Sequence, residues 1–426
     1  MILQALTDWN HWWEAGVVEE ALLGQNRPIL KQLISTLKLR EIKLLIGVRR
    51  SGKSTLFYQL ISHLLKKGVN PKEILLINFE DDVLSKKSLR EIYEEYRANI
   101  NPKTAPYLFM DEVHRCNEWA LFLRKLYDLK KVKQIFITDS SSKYIRPDFA
   151  RVLTGRSVSI PIFPLSFEEY LHWSGFEAKK SLSSDNISII RNCFLDFLRW
   201  GGFPEVFFKT EAQKKPLLLE YFSDIIHKDI IERYNLNYAK VKHLADILVT
   251  NSGKLFSPRK YSRTYGLSLE SINTYLHYFG EVFLFFLVPK FSYSLRSQQI
   301  SPKKVYVVDM GFFNNLGFQF SQNIGRVYEN TVFIELRRRG NEVYYWSDAH
   351  ECDFVVKEGI KVKEVIQVCC ELNEENKARE VKGVLEAMEE FKLRRGLVIT
   401  RDYEKREGVS GKEIVFKPLW KWLLNI

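Results

Sequence analysis

Leu44-Leu45-Ile46-Gly47-Val48-Arg49-Arg50-Ser51-Gly52-Lys53-Ser54-Thr55 sets a complete phosphate-binding loop, Gly47 to Ser54, between an apolar run and a helical pattern. Leu44-Leu45-Ile46 reads as a buried strand, and Thr55 to Ile61 has the apolar spacing of a helix. Strand, loop and helix in that order are the context the motif requires. Gly47 and Gly52 allow backbone angles that turn successive N–H groups inward, toward phosphate oxygens. The helix that follows adds the positive end of its dipole. Lys53 supplies a point charge for the β- and γ-phosphates, and Ser54 a hydroxyl for Mg2+. The residues expected to bind a nucleoside triphosphate are therefore Gly47, Val48, Arg49, Arg50, Ser51, Gly52, Lys53, Ser54 and Thr55.

Such a loop needs a partner element for metal and water. Tyr107-Leu108-Phe109-Met110 is an apolar strand that ends in Asp111-Glu112. In an open parallel sheet, ligands sit beyond the carboxyl ends of the strands, where this pair and the loop would both lie. Asp111 is expected to hold Mg2+ through its water shell, because Mg2+ gives up water reluctantly. Glu112 would orient and deprotonate the attacking water. Standing alone, an acidic pair at a strand end reads equally well as a helix start. Paired with the loop it reads as catalytic, and the glutamate argues for hydrolysis over nucleotide storage.

With 426 residues the chain has room for about two to four domains and an ample core. Its five cysteines (Cys116, Cys193, Cys352, Cys369, Cys370) show no paired metal spacing and no disulfide framework. Their odd number, with no secretory leader, predicts reduced thiols in a cytoplasmic protein. The most apolar stretch, Val282 to Val288, is too short to span a bilayer, so no membrane association is expected. A formal net charge of +12 favours a polyanionic partner or an acidic surface.

Further apolar runs, Ile74 to Phe79 and Ile135 to Thr138, alternate with helical stretches, and Ser157 to Ile160 reads as a further short strand. That alternation predicts a parallel α/β sheet covered by helices. Trp9 to Leu37 reads as helical with a break at Arg27-Pro28, and Ser166 to about Asn237 as helical around the turn Gly201-Gly202-Phe203-Pro204. Thr138-Asp139-Ser140 ends the strand expected beside the loop, where Ser140 can sense the γ-phosphate or the water. Arg156 suits bridging spread phosphoryl charge, within one subunit or across an interface; a surface ion pair is the competing use.

The loop, together with Asn78-Phe79-Glu80-Asp81, Asp111-Glu112, Thr138-Asp139-Ser140, Leu153-Thr154-Gly155-Arg156, Pro164-Leu165-Ser166-Phe167 and Gly201-Gly202-Phe203-Pro204-Glu205, resembles a family of AAA-superfamily ATPases. These are widespread in archaea and bacteria and carry a C-terminal domain of uncharacterised function. The resemblance spans essentially the whole chain. It implies ATP and Mg2+ as cofactors, and a homo-oligomer wherever an arginine is supplied by a neighbour. Asp139 departs from it, since the family usually has glycine there. A carboxylate near phosphate would repel it unless it faces away.

Downstream, Val241 to Asn251 reads as a helix, Ser257-Pro258 opens a second, and Ser268 caps a third running to Phe279. Two apolar segments, Val282 to Val288 and Val305 to Val308, follow as a β-hairpin. Three helices and a hairpin describe a winged helix. Its third helix would present Ser271, Asn273, Thr274 and His277, with Lys254, Arg259, Lys260 and Arg263 near for DNA phosphates. The aromatic texture of that helix (Tyr275, Tyr278, Phe279) fits protein docking or domain spacing as well, and both uses stay open.

Beyond about residue 321, Glu329 starts a helix to Arg338, and strands are expected at Glu342 to Trp346, Cys352 to Val356, Val365 to Cys369 and Leu397 to Thr400, with a helix from Glu374 to Phe391. This order resembles the restriction-endonuclease-like fold, whose site uses a helix glutamate, a strand aspartate and a Glu-x-Lys. Glu329 and Asp353 match the first two. Gln367 stands where a carboxylate would bind metal, and Cys369 where the lysine would sit. A neutral carboxamide is a weaker ligand for a hard cation than a carboxylate. A thiol with a pKa of about 8.5 offers no positive charge. The domain is expected to be an inactive nuclease fold kept for DNA binding or packing.

The expected architecture is thus α/β: a P-loop NTPase parallel sheet (1–165), a helical lid (166–237), a winged-helix domain (238–320) and a restriction-endonuclease-like domain (321–426). The expected activity is Mg2+-dependent ATP hydrolysis coupled to DNA or partner binding. Competing readings are a DNA-binding regulator switched by ATP, an ATP-dependent nuclease, and a signalling or defence scaffold. No adenine-contact signature separates ATP from GTP.

Overall fold

Near-continuous apolar runs belong in a parallel sheet covered on both faces, and four of them form one, with a fifth, mostly exposed strand at its edge. β1 (Ile42–Ile46), β2 (Ile74–Asn78), β3 (Tyr107–Asp111), β4 (Gln134–Asp139) and β5 (Ser157–Pro161) lie in the order β2-β3-β4-β1-β5. Every pairing is parallel. The computed structural model describes residues 1–116, 118–141, 152–177, 184–317 and 324–426. It divides into two units, Met1–Ile162 and Phe163–Ile426.

In the first unit, β1 runs beside β4 with Leu45 opposite Thr138, and β3 flanks β4 on its other side. The carboxyl ends of β1, β3 and β4 are therefore neighbours, so the chain that leaves β1 as the loop meets the residues that end β3 and β4. The helix Lys53–Lys66 follows the loop directly and buries Leu56, Phe57, Leu60, Ile61 and Leu64. The segment before β1 differs from the expected pair of long helices. It forms short pieces, Ile2–Trp9, Trp12–Ala15, Glu20–Leu23 and Ile29–Ser35. Asn10 explains the first break: its carboxamide bonds both the N–H (2.7 Å) and the C=O (2.8 Å) of Leu76, pinning the chain to β2. Gly16 and Gly24, at φ 72 and 53, end the next two pieces.

The second unit opens with the helices Phe167–Trp173, Ser184–Trp200 and Glu211–Asp224. Three more, Tyr238–Thr250, Pro258–Tyr265 and Leu269–Glu281, accompany a small antiparallel sheet. This sheet has the order β6-β8-β7, with β6 at Leu255–Phe256, β7 at Phe285–Val288 and β8 at Lys303–Val307. β7 and β8 pair antiparallel as expected, but a short helix, Leu295–Ile300, stands in the connection expected as a loop; β6, two residues long, is too short to show a period in sequence. The helix Ile324–Arg338 leads into a six-stranded mixed sheet of order β13-β14-β12-β11-β10-β9. Its strands are β9 (Glu342–Ser347), β10 (Glu351–Glu358), β11 (Lys361–Val368), β12 (Arg395–Thr400), β13 (Lys405–Val409) and β14 (Lys412–Pro418). The helix Glu374–Glu390 connects β11 to β12. Glu329 lies inside its helix rather than at the start.

Shared aromatic packing makes these segments one unit. Phe203 and Phe222 pack on Phe312 (5.0 and 5.3 Å between ring centres), joining the first helices to the middle. Tyr306 on β8 stacks on Phe333 at 4.4 Å and packs on Phe354 at 5.7 Å, joining the middle to the last sheet. The expected boundary at 320/321 lies outside the described residues.

Candidate functional site

The phosphate loop is shaped by residues that tolerate no side chain or an unusual backbone. A Cβ on Gly47 would lie 2.1 Å from the Ile162 carbonyl oxygen, so only glycine fits where β1 ends. Arg50 and Gly52 take the left-handed region, at φ 67 and 92. Arg27, from the preceding segment, donates to the Ser51 carbonyl at 2.8 Å and braces the loop from outside. Arg49 pairs with Glu80 at 2.9 Å.

Lys53 is buried (4 % exposed) and its ammonium donates to the carbonyls of Gly47 (2.9 Å) and Val48 (3.2 Å), folding back across its own loop. It also lies 4.0 Å from Glu112. Ser54 hydrogen-bonds Asp111, and Thr138 on β4 donates to Asp111 while its hydroxyl accepts from the Glu112 N–H at 3.0 Å. Burial, then the neighbouring Glu112 charge, pushes the Asp111 carboxyl up to about 6. A buried aspartate beside a serine hydroxyl, short of positive charge, is a hard-oxygen donor set that suits Mg2+. Burial alone would also raise Glu112. The contact with His114 and the charges of Lys53, His114 and Arg49 override it and hold that carboxyl well below the usual range.

His114 explains Asp139. Its Nδ1 stands 3.3 Å from Glu112 and 3.4 Å from Asp139, an electrostatic contact more than an aligned hydrogen bond. Burial would lower the imidazole, but Asp139 and Glu112 overcome this and push it up to about 9. The Asp139 carboxylate also accepts from the Ser141 N–H at 3.0 Å. The extra negative charge is thus matched by a cation two residues past Glu112. The string Asp111-Glu112-Val113-His114 held that signal, and it goes unread without knowing which strand ends are neighbours. Ser140 is fully buried just past the end of β4.

Arg156 is not brought to this site, which corrects its expected role within one chain. Ser157 pairs with Ile42, the first residue of β1, so Arg156 sits at the amino end of the strands. The loop leaves the opposite end, about 15 Å away at the rise of a strand. Arg156 instead pairs with Asp128 at 2.9 Å.

In the second unit Lys254, Arg259, Lys260 and Arg263 are exposed, and none is in an ion pair among the described residues. Glu329 and Asp353 do come together, around a residue that sequence reasoning passed over. The Lys304 ammonium lies 2.9 Å from Glu329 and 2.8 Å from Asp353. Gln367 lies beside Asp353 with its carboxamide engaged: it accepts from the Asp353 N–H (3.0 Å) and donates to Glu380 (2.7 Å). Cys369 bonds the Glu371 carbonyl, and burial pushes its thiol up to about 12.

Residues 39–171 match an AAA domain, which agrees with the loop, the parallel sheet and the acidic strand end. Residues 192–323 and 324–422 match two domains of unknown function, DUF8612 and DUF4143. The chain belongs to the same family as the uncharacterized protein MJ1544 of Methanocaldococcus jannaschii, at 36% identity over 94% of this chain and 91% of that one. An uncharacterized protein of Haemophilus influenzae is 28% identical over 93% of this chain and 97% of its own length. Among solved structures, the Walker-type ATPase PABY2304 of Pyrococcus abyssi aligns with a TM-score of 0.46 at 13% identity, covering 70% of this chain and 97% of that one. Among the described residues, no helix is long and apolar enough to cross a membrane.

Proposed function

We propose that this protein binds ATP with Mg2+ and hydrolyses it, and that nucleotide state governs DNA or partner binding through the second unit. The observation that carries this reading is the convergence of Lys53, Ser54, Asp111 and Glu112 at adjoining strand ends, with Lys53 4.0 Å from Glu112. Loop N–H groups and Lys53 would hold the phosphates. Ser54 and Asp111 would hold Mg2+, which neutralises phosphate charge when bound. Glu112, kept ionised, would orient a water and take its proton. Ser140 is assigned as a phosphate sensor. Arg156 would act only in a homo-oligomer, on a neighbour's nucleotide. Steady-state ATP turnover with and without Mg2+ tests the reading; no turnover with Mg2+ present would refute it.

For the second unit, three helices with the β6-β8-β7 sheet support a winged helix, and four exposed basic residues support phosphate contact. The helix Ile324–Arg338, the antiparallel β9 and β10, and the parallel β11 and β12 around a connecting helix support a restriction-endonuclease-like fold. Gln367 and Cys369, a neutral carboxamide and a thiol both engaged in hydrogen bonds of their own, argue against nuclease activity. Asp353→Asn leaving any Mg2+-dependent nicking unchanged would end the nuclease reading.

A further inference from the structure

The last sheet and its neighbouring helix hold three carboxylates around one point, and a buried ammonium occupies that point. Lys304 on β8 is 3 % exposed. Its Nζ lies 2.9 Å from Glu329 Oε1, 2.8 Å from Asp353 Oδ1 and 2.5 Å from Glu351 Oε1. An ammonium has three N–H donors and no acceptor; Lys304 hydrogen-bonds Glu329 and Asp353, and Glu351 adds an ion pair. Two of the three acids are fixed by further donors. Tyr306, two residues along β8 and hence on the same face, donates to Glu329 at 2.6 Å. The Val368 N–H donates to Asp353 Oδ2 at 2.9 Å. Burial would lower the Lys304 amine, but Asp353 and Glu329 overcome it and hold the lysine charged.

Carboxylate oxygens from a helix and a strand, converging with backbone-anchored orientation, form the kind of donor set that hard divalent cations take. A divalent ion at the same point would sit within contact distance of Nζ and be repelled by it. Occupation by Lys304 and by metal therefore exclude one another. Lysine also meets the charge need in part: Glu329 and Asp353 are largely buried, and carboxylates so placed are strongly unfavourable without a cation, whereas Glu351 reaches solvent. We propose that the Lys304 ammonium is the resident cation of this site, that it closes the site to divalent metal, and that removing it converts the cluster into a divalent-cation site built from Glu329, Asp353 and Glu351.

The test uses the full chain without nucleotide and Mn2+ as the probe, read by electron paramagnetic resonance and by thermal melts in chelator or Mn2+. Wild-type protein and Asp353→Asn should take up the same number of Mn2+ ions. Lys304→Ala should take up one more than wild type, and its melting temperature, lowered in chelator, should recover with Mn2+. Both gains should vanish in Lys304→Ala/Asp353→Asn. If Lys304→Ala is unfolded in chelator, Mn2+-induced recovery of a cooperative melt is the same readout. Wild-type uptake that falls by one ion on Asp353→Asn would overturn the proposal. So would a Lys304→Ala protein that gains neither Mn2+ uptake nor melting temperature.

Discussion

The Lys53 ammonium stands 4.0 Å from the Glu112 carboxylate while donating to two carbonyls of its own loop. A phosphate entering the loop would draw Lys53 off those carbonyls and leave Glu112 facing the water. Glu112→Gln keeps size and neutralises the base. ATP affinity should stay within about threefold of wild type, while turnover falls by about a hundredfold or more, the usual worth of a general base. Equilibrium binding and steady-state hydrolysis measure the two. Normal turnover would remove Glu112 from the chemistry.

His114 makes a prediction about stability. Its folded-state value, pushed up to about 9, lies above the ordinary one near 6.5. The pairing with Glu112 and Asp139 therefore stabilises fully below about pH 6.5 and is lost as the pH rises through about 9. The melting temperature of wild type should exceed that of His114→Gln most at about pH 6, and the gap should close by about pH 10. A gap independent of pH would mean that the imidazole acts only by packing.

Gly201 and Gly202 test the role of a turn that sequence alone marks only as a break. A Cβ on Gly201 would lie 1.7 Å from Asp309 Oδ1, at a φ of 78. Asp309 cannot retreat, because its carboxylate accepts from the N–H groups of Gly202 and Gly311, each at 2.8 Å. Gly201→Ala should cost at least about 2 kcal/mol, from the left-handed backbone and the clash together. Urea unfolding gives the value, and a wild-type midpoint would contradict this account of the turn.

If Lys254, Arg259, Lys260 and Arg263 contact DNA phosphates, each change to Ala should lower the slope of log affinity against log salt by about 0.9. Filter binding across a salt series, with and without ATP, measures it. A slope near zero in the wild type would instead favour a protein partner.

The first unit was readable because its signals are local. A parallel sheet buried on both faces writes its strands as apolar runs, and β1 to β4 stand within a residue or two of where those runs lie. Asn10, by contrast, breaks its helix through a bond to Leu76, a partner 66 positions away that no local pattern reveals. His114 and Arg27 were missed for the same reason. In the second unit, Glu329 and Asp353 stood out as acids, but Lys304 did not, since Lys303-Lys304 resembles a solvated strand end. Only the pairing of β8 with its neighbours, and its face toward the helix Ile324–Arg338, makes that lysine a core residue.

Isothermal calorimetry of the folded full chain with ATP and saturating Mg2+ bears most directly on the central claim. One nucleotide should bind per chain, and Lys53→Ala should weaken it by about tenfold to a hundredfold, the worth of a charged hydrogen bond of about 1.5–3 kcal/mol. No heat of binding from folded wild-type protein, or equal affinity in Lys53→Ala, would contradict it.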